Sequence, residues 1–213
     1  MEELNYNNNI LISVGRSFGS GGLSFACALR DALGFPVFDK NILDRAANAT
    51  NIRKEFFEQA DESNNISIPY LCSSSFPLSN TFFAYTDNYL SNDSLFVKQS
   101  ETIRQLAKEG SAIFVGRCSD YVLRDSPNLL TVFITEDPEI RIRTIMERLE
   151  VPEDEAKSMM EKADKKRRDY YDYYTPGHWG RADNYDICLK ISTFGMENAV
   201  KVVADRVKQF SKE

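Results

Sequence analysis

Glycines at positions 19, 21 and 22, set among Ser20, Leu23 and Ser24 and preceded by Arg16, form the stretch of this chain whose residue types best suit chemistry. Small residues ahead of a helix let backbone N–H groups converge on phosphate oxygens, and the helix terminus adds a favourable field. Gly19, Gly21 and Gly22 can take positive φ and leave the approach unblocked, while the Ser24 hydroxyl is placed for a magnesium ion or a phosphate oxygen. The spacing departs from the phosphate-loop pattern GxxxxGK[ST]: Arg16 stands at the first glycine and Gly22 at the lysine. The dinucleotide pattern GxGxxG is absent too. A plain structural turn, in which glycines merely permit a tight strand-to-helix connection, therefore stays open beside the phosphate site.

The lysine of such loops carries a mobile positive charge to the terminal phosphates, so phosphoryl transfer here needs another cation. Arg16 is the nearest in sequence. The distant source is Lys162, Lys165, Lys166, Arg167 and Arg168, the densest cationic cluster of the chain. Arg117 directly follows an apolar run, where a guanidinium can grip a phosphate in a bidentate fashion or else pair with Asp120 or Asp125 on the surface. Asp39 also follows a short apolar run; it can bind substrate hydroxyls, assist a nucleophile, hold Mg²⁺ through water, or simply cap the next helix. His178 is the only histidine, and neither HExxH nor a cysteine set accompanies it, so neither a zinc site nor a catalytic base is assigned there.

These groups need a scaffold, and the hydrophobic pattern supplies strands alternating with helices. Ile10 to Val14 reads as a strand, Leu23 to Leu33 as a helix closed by Gly34, and Phe35 to Phe38 as a second strand ending at Asp39. Helices are expected over Asn41 to Ala49 and Arg53 to Ala60. Residues 61–93 carry Asn, Ser, Pro and aromatics without a period and read as a loop-rich insertion. A helix from Ser94 to Glu109, a strand from Ser111 to Val115, a short helix from Asp120 to Arg124 and a strand from Leu130 to Thr135 follow. Pro138 then opens a charged helix that runs to about Leu149, Val151-Pro152 breaks it, and a very polar helix runs from Glu153 to about Tyr171. A strand from Asp186 to Ile191 and a helix from Met196 to Phe210 complete the chain. This alternation favours a mostly parallel sheet covered on both faces.

With 213 residues and a hydrophobic fraction of 42%, the chain suits a single α/β domain with an insertion. Its net charge of −6 argues against a duplex nucleic-acid binder, which needs a basic face, yet leaves room for a small phosphorylated ligand held by a few focused cations. The runs ILISV, AIFV and LLTVFI fall far short of the roughly 20 residues that cross a bilayer. The acidic, amidic start lacks a leader-like pattern. Cys27, Cys72, Cys118 and Cys188 form no CxxC pair and read as reduced thiols of a cytoplasmic protein.

Taken as a set, ISVGRSFGSGGLSFACAL, GFPVFDKNIL, AIFVGRCSDYVLRD, RRDYYDYYTPGHWG and ADNYDICLKIS resemble the cytidylate kinase-like proteins of the P-loop nucleoside monophosphate kinase group. The resemblance implies a three-layer α/β P-loop NTPase fold with a central parallel sheet, an acceptor-binding insertion over about 40–93 and a helical lid over about 138–175. It implies ATP and Mg²⁺ as the donor pair, with CMP or dCMP as the acceptor of true cytidylate kinases. Gly19-Ser20-Gly21-Gly22-Leu23-Ser24 lies over their GSGKGT, with Ser24 on the threonine. Arg117 lies on the arginine of their GRD segment, with Cys118 on the aspartate, and Arg167 and Arg168 lie on the lid arginines. The catalytic set expected is thus Arg16, Asp39, Arg117, Arg167 and Arg168. Another small metabolite as acceptor, or nucleotide binding without catalysis, remains an alternative, and the aromatic-rich insertion offers either a homodimer surface or a cover for its own core.

Overall fold

In a computed structural model, the structure describes residues 8–40 and 89–210. The helices expected over Asn41 to Ala49 and Arg53 to Ala60, and nearly all of the insertion, lie outside the described residues. Five parallel strands form one sheet in the order β2-β3-β1-β4-β5: β1 Leu11–Arg16, β2 Val37–Phe38, β3 Ala112–Val115, β4 Leu129–Thr135 and β5 Ile187–Lys190. Their helices are α1 Gly22–Leu33, α2 Tyr89–Glu109, α3 Ser119–Val122, α4 Pro138–Leu149, α5 Glu153–Tyr174, α6 Ile191–Phe194 and α7 Met196–Phe210.

The period of two along each strand sorts the layers. Ile12 and Val14 of β1, Ile113 and Val115 of β3, and Leu130, Val132 and Ile134 of β4 meet Phe25 and Leu29 of α1 and Val203 and Val207 of α7. On the opposite face Leu11, Phe38, Ala112 and Phe114 meet Ile103 and Leu106 of α2 and Val122 and Leu123 at the end of α3. Helices thus cover both faces, as parallel sheets require. Beyond β4, Trp179 and Tyr185 pack on Phe133 with ring centroids 5.6 and 4.8 Å apart.

Element ends follow local chemistry. Gly34 takes φ 74° and its N–H returns to the Arg30 carbonyl at 2.7 Å, ending α1 as expected. Pro138 sits in the first turn of α4, where its missing N–H costs nothing. Glu150 at φ 54° turns the chain before Pro152, and α5 starts after a three-residue connection. α5 continues to Tyr174, beyond the expected Tyr171, and α6 replaces the expected last residue of β5.

Buried Glu136 ties the ends of β4 and β5 together, accepting the Ser192 N–H and hydroxyl at 2.6 Å each and the Asp137 N–H at 2.9 Å. Among the described cysteines Cys118 and Cys188 are free thiols. Cys27 is disulfide-bonded, so the expectation of reduced thiols fails there; scattered spacing carries no information on which sulfurs a fold apposes. No helix among the described residues is long and apolar enough to cross a membrane.

Two stability measurements follow. Phe114 is fully buried and stacks on Phe38 at 5.4 Å, so Phe114→Ala should lower the unfolding free energy by about 3–5 kcal/mol in denaturant titrations. Burial pushes the Glu136 carboxyl upward, but the Ser192 and Asp137 hydrogen bonds outweigh it and hold the group below its ordinary value of 4.5. A depressed native pKa contributes stability that is present above about pH 4.5 and lost as pH falls through the native value. Glu136→Gln should therefore be less stable at neutral pH and show a shallower loss of stability below about pH 4.5 in acid titrations followed by circular dichroism.

Candidate functional site

The loop between β1 and α1 is folded by its own polar atoms. Ser17 N–H donates to the Ile134 carbonyl at 3.0 Å, and the buried Ser20 hydroxyl sits 2.8 Å from the Ser17 carbonyl and 3.0 Å from that of Ile134. Ser20 therefore shapes the loop through its hydroxyl. Gly21 precedes α1 at φ 78°, and the first intrahelical bond runs from Phe25 N–H to the Gly21 carbonyl at 2.9 Å. The N–H groups of Gly22, Leu23 and Ser24 consequently open the helix without an intrahelical acceptor. Leu23 turns its side chain onto the core, whereas Ser24 is exposed on the first turn.

Arg16 explains the missing lysine. A Cβ at Gly22 would overlap Cβ of Arg16, and one at Gly116 would overlap its Nη1. The arginine stem thus lies across position 22 and carries its guanidinium to the end of β3, so no side chain fits at Gly22 while Arg16 is in place, and one at Gly116 would displace the guanidinium tip. Arg16, the last residue of β1, thus brings a cation beside the start of α1.

Arg117 arrives from β3 through a left-handed turn in which Gly116, Arg117 and Cys118 take φ 77°, 60° and 53°. Holding two non-glycine residues there costs about 1–3 kcal/mol each. The turn aims the Arg117 guanidinium over the Tyr170 ring at 5.1 Å and buries its Nε without a hydrogen-bond partner. Arg167 comes from α5, donates from Nη1 to the Arg16 carbonyl at 2.9 Å, and lies 5.5 Å over the Phe18 ring.

Like charges press on one another here. Burial first, then Arg167 and Arg117, push the Arg16 pKa down to about 9 against an upward pull from Asp39. Burial first, then Arg141 and Arg117, push Arg167 down to about 10 against the pull of Asp164. Arg16 and Arg167 both remain protonated at neutral pH. Asp39, buried at the end of β2, is the carboxylate that faces Arg16. The structure therefore brings together Arg16, Asp39, Arg117 and Arg167 beside Gly19 to Ser24. Arg168 is not among them: it is exposed, with its guanidinium 5.9 Å from the Trp179 ring, because neighbouring residues on a helix point about 100° apart.

Cys118 is buried and inert, since burial and Asp120 push its thiol well upward. His178 lies 3.7 Å from Asp172 at the surface, away from this cluster. A cleft of about 530 Å³ lies elsewhere, against the first residues of β4 and β5, between Asp120, Tyr171 and Asp186. None of the loop residues lines it; the loop sits at the carboxyl end of β1. Sequence reasoning missed Asp164 and Phe18, which bind each other; the only signal was the three-residue spacing of Asp164 and Arg167 on one helix face.

A model of the cytidylate kinase-like family matches residues 11–193. The chain belongs to that family. No functionally curated protein matches the sequence. A solved structure of an uncharacterized protein from Eubacterium ventriosum is similar at 27% identity and a TM-score of 0.71, over 94% of this chain and 99% of that one. Shikimate kinase from Bacteroides thetaiotaomicron is similar in fold, with 13% identity and a TM-score of 0.51, over 93% of this chain and 98% of that one. The three-layer architecture is thus that of P-loop kinases.

The exchange can be measured without knowing the ligand. Gly22→Ala should lose about 1–3 kcal/mol of unfolding free energy through overpacking. In the Arg16→Gly background that cost should largely vanish, and a double-mutant cycle by denaturant unfolding checks the coupling.

Proposed function

We propose that the protein is an ATP- and Mg²⁺-dependent phosphotransferase whose acceptor is a small phosphorylated metabolite, with a nucleoside monophosphate such as CMP or dCMP as the class that family membership supports. The observation carrying this reading is the convergence of Arg16, Arg117 and Arg167, from β1, β3 and α5, beside the open N-terminus of α1. Half-buried like charges raise the energy of the ligand-free protein, and phosphate oxygens relieve it.

In this reading the N–H groups of Gly19 and of Gly21 to Ser24 bind the donor phosphates. Ser20 shapes the loop. Arg16 and Arg167 stand over the terminal phosphate and compensate charge as it shifts to the leaving oxygen, while Arg117 holds the acceptor phosphate from the other side. The donor set fits a hard cation: the exposed Ser24 hydroxyl and the Asp39 carboxylate are oxygen ligands of the kind Mg²⁺ takes alongside phosphates and water. When bound, the ion would neutralise part of the phosphate charge. No enzyme nucleophile is required. The α4–α5 hairpin, residues 138–174, serves as the lid that excludes water, and the insertion carries acceptor specificity.

ADP release over a panel of nucleoside monophosphates should show Mg²⁺-dependent turnover on at least one of them, and a purified protein silent on all would sink the nucleotide reading. Arg16→Ala should lower kcat by about 10²–10³-fold. Arg117→Ala should raise the acceptor KM more than the ATP KM. An effect confined to ATP would move Arg117 to the donor side.

A further inference from the structure

Phe18 is the loop residue whose every feature is held by the α4–α5 hairpin. Its N–H donates to Asp164 Oδ1 at 2.8 Å. Its carbonyl accepts from Arg141 Nε at 2.7 Å. Arg141 Nη2 pairs with Asp164 Oδ2, and both side chains are nearly enclosed, at 10% and 14% exposure. The Phe18 ring packs on the hairpin's own small core of Ile145, Ala156 and Met160. The next residue is equally constrained, because a Cβ at Gly19 would come within 2.8 Å of the Arg141 carbonyl and 3.1 Å of Ile145.

The peptide joining Phe18 to Gly19 is trans, so its C=O and its N–H point in opposite directions. Fixing the carbonyl on Arg141 therefore fixes the Gly19 N–H away from that guanidinium. A charge-assisted bond to the carbonyl also polarises the peptide and makes its N–H a stronger donor to an anion. Gly19 N–H has no backbone acceptor among the described residues, which leaves it available for that purpose.

We infer that Arg141 and Asp164 are positioning residues for the donor-phosphate site: through Phe18 they set the orientation and donor strength of the Gly19 N–H. The inference rests on the phosphate reading of the loop given above. It also means that hairpin and loop adjust together, since neither polar group of Phe18 can turn while the ion pair stands. Arg141 touches no reacting atom in this scheme and acts only through the peptide.

The test uses pyrophosphate as probe and the whole chain. Calorimetry should show pyrophosphate bound to the wild type, and Arg141→Met and Asp164→Asn should each weaken it about tenfold, the scale of one well-made hydrogen bond. In nitrogen–proton spectra the Gly19 amide should shift downfield on adding pyrophosphate in the wild type and far less in Arg141→Met. A role confined to general stability would leave that shift intact at temperatures well below unfolding. Where Asp164→Asn fails to melt cooperatively, Arg141→Lys decides, because it keeps the charge but removes the Nε donor from the Phe18 carbonyl, and it too should weaken binding. Folded variants that bind pyrophosphate as the wild type does, with an unchanged Gly19 shift, overturn the inference while leaving the phosphate site standing. A wild type that binds no pyrophosphate overturns both.

Discussion

Arg16 lying across Gly22 is the contact on which the rest of the site depends. It removes the side chain from the first residue of α1, requires a second glycine at 116, and delivers a guanidinium to the point where Arg117 and Arg167 also arrive. Each consequence is steric or electrostatic and none is optional. With a stem of three methylenes laid over the helix start, a lysine at position 22 has no space. The left-handed turn at 116–118 then becomes intelligible, since backbone strain there keeps Arg117 near charges that would otherwise repel it.

Buried like charges need a counterweight, and the fold supplies it unevenly. Asp39 pulls on Arg16 and Asp164 pulls on Arg167, whereas Arg117 has an aromatic face and a buried Nε that no acceptor meets. An aromatic ring attracts a cation by only about 0.5–2 kcal/mol and does not neutralise it. The imbalance is therefore localised on Arg117, on the side of the loop away from the α4–α5 hairpin's grip on Phe18. On the proposed reading, cations balanced to different degrees on the two sides of the loop would separate two anions by position.

Much of the frame was legible in the sequence because its signals are short-range. Period-two runs placed the strands, Gly34 and Pro138 marked helix ends, and Met196 to Phe210 emerged with the expected bounds. Arg16, Asp39, Arg117 and the glycines were legible for the same reason: each follows a strand end, and strand ends at one edge of a parallel sheet meet in space. The hairpin was different. On a helix of alternating charge, nothing local tells Arg167, which turns inward onto Arg16, from Arg168, which turns outward onto Trp179. Nor does sequence reveal that Arg141 and Asp164, on separate helices, close around Phe18, because that contact is made by tertiary packing alone. The gap at position 22 read as a loss, since a substitution and its compensating residue six positions earlier touch only once the strand, turn and helix are folded.

Exchanging a lysine for this arginine changes what must move. An ammonium on a flexible stem can follow a phosphate as it travels, whereas a guanidinium is a planar fork that works when its geometry is set beforehand. The Arg16 stem lies against Gly22 and its tip beside Gly116. The hairpin is the element in contact with both the Arg16 carbonyl and the Phe18 backbone. On the proposed reading, the charge at the loop comes from a preset guanidinium, and the seating of two helices on the loop decides how that charge meets a phosphate.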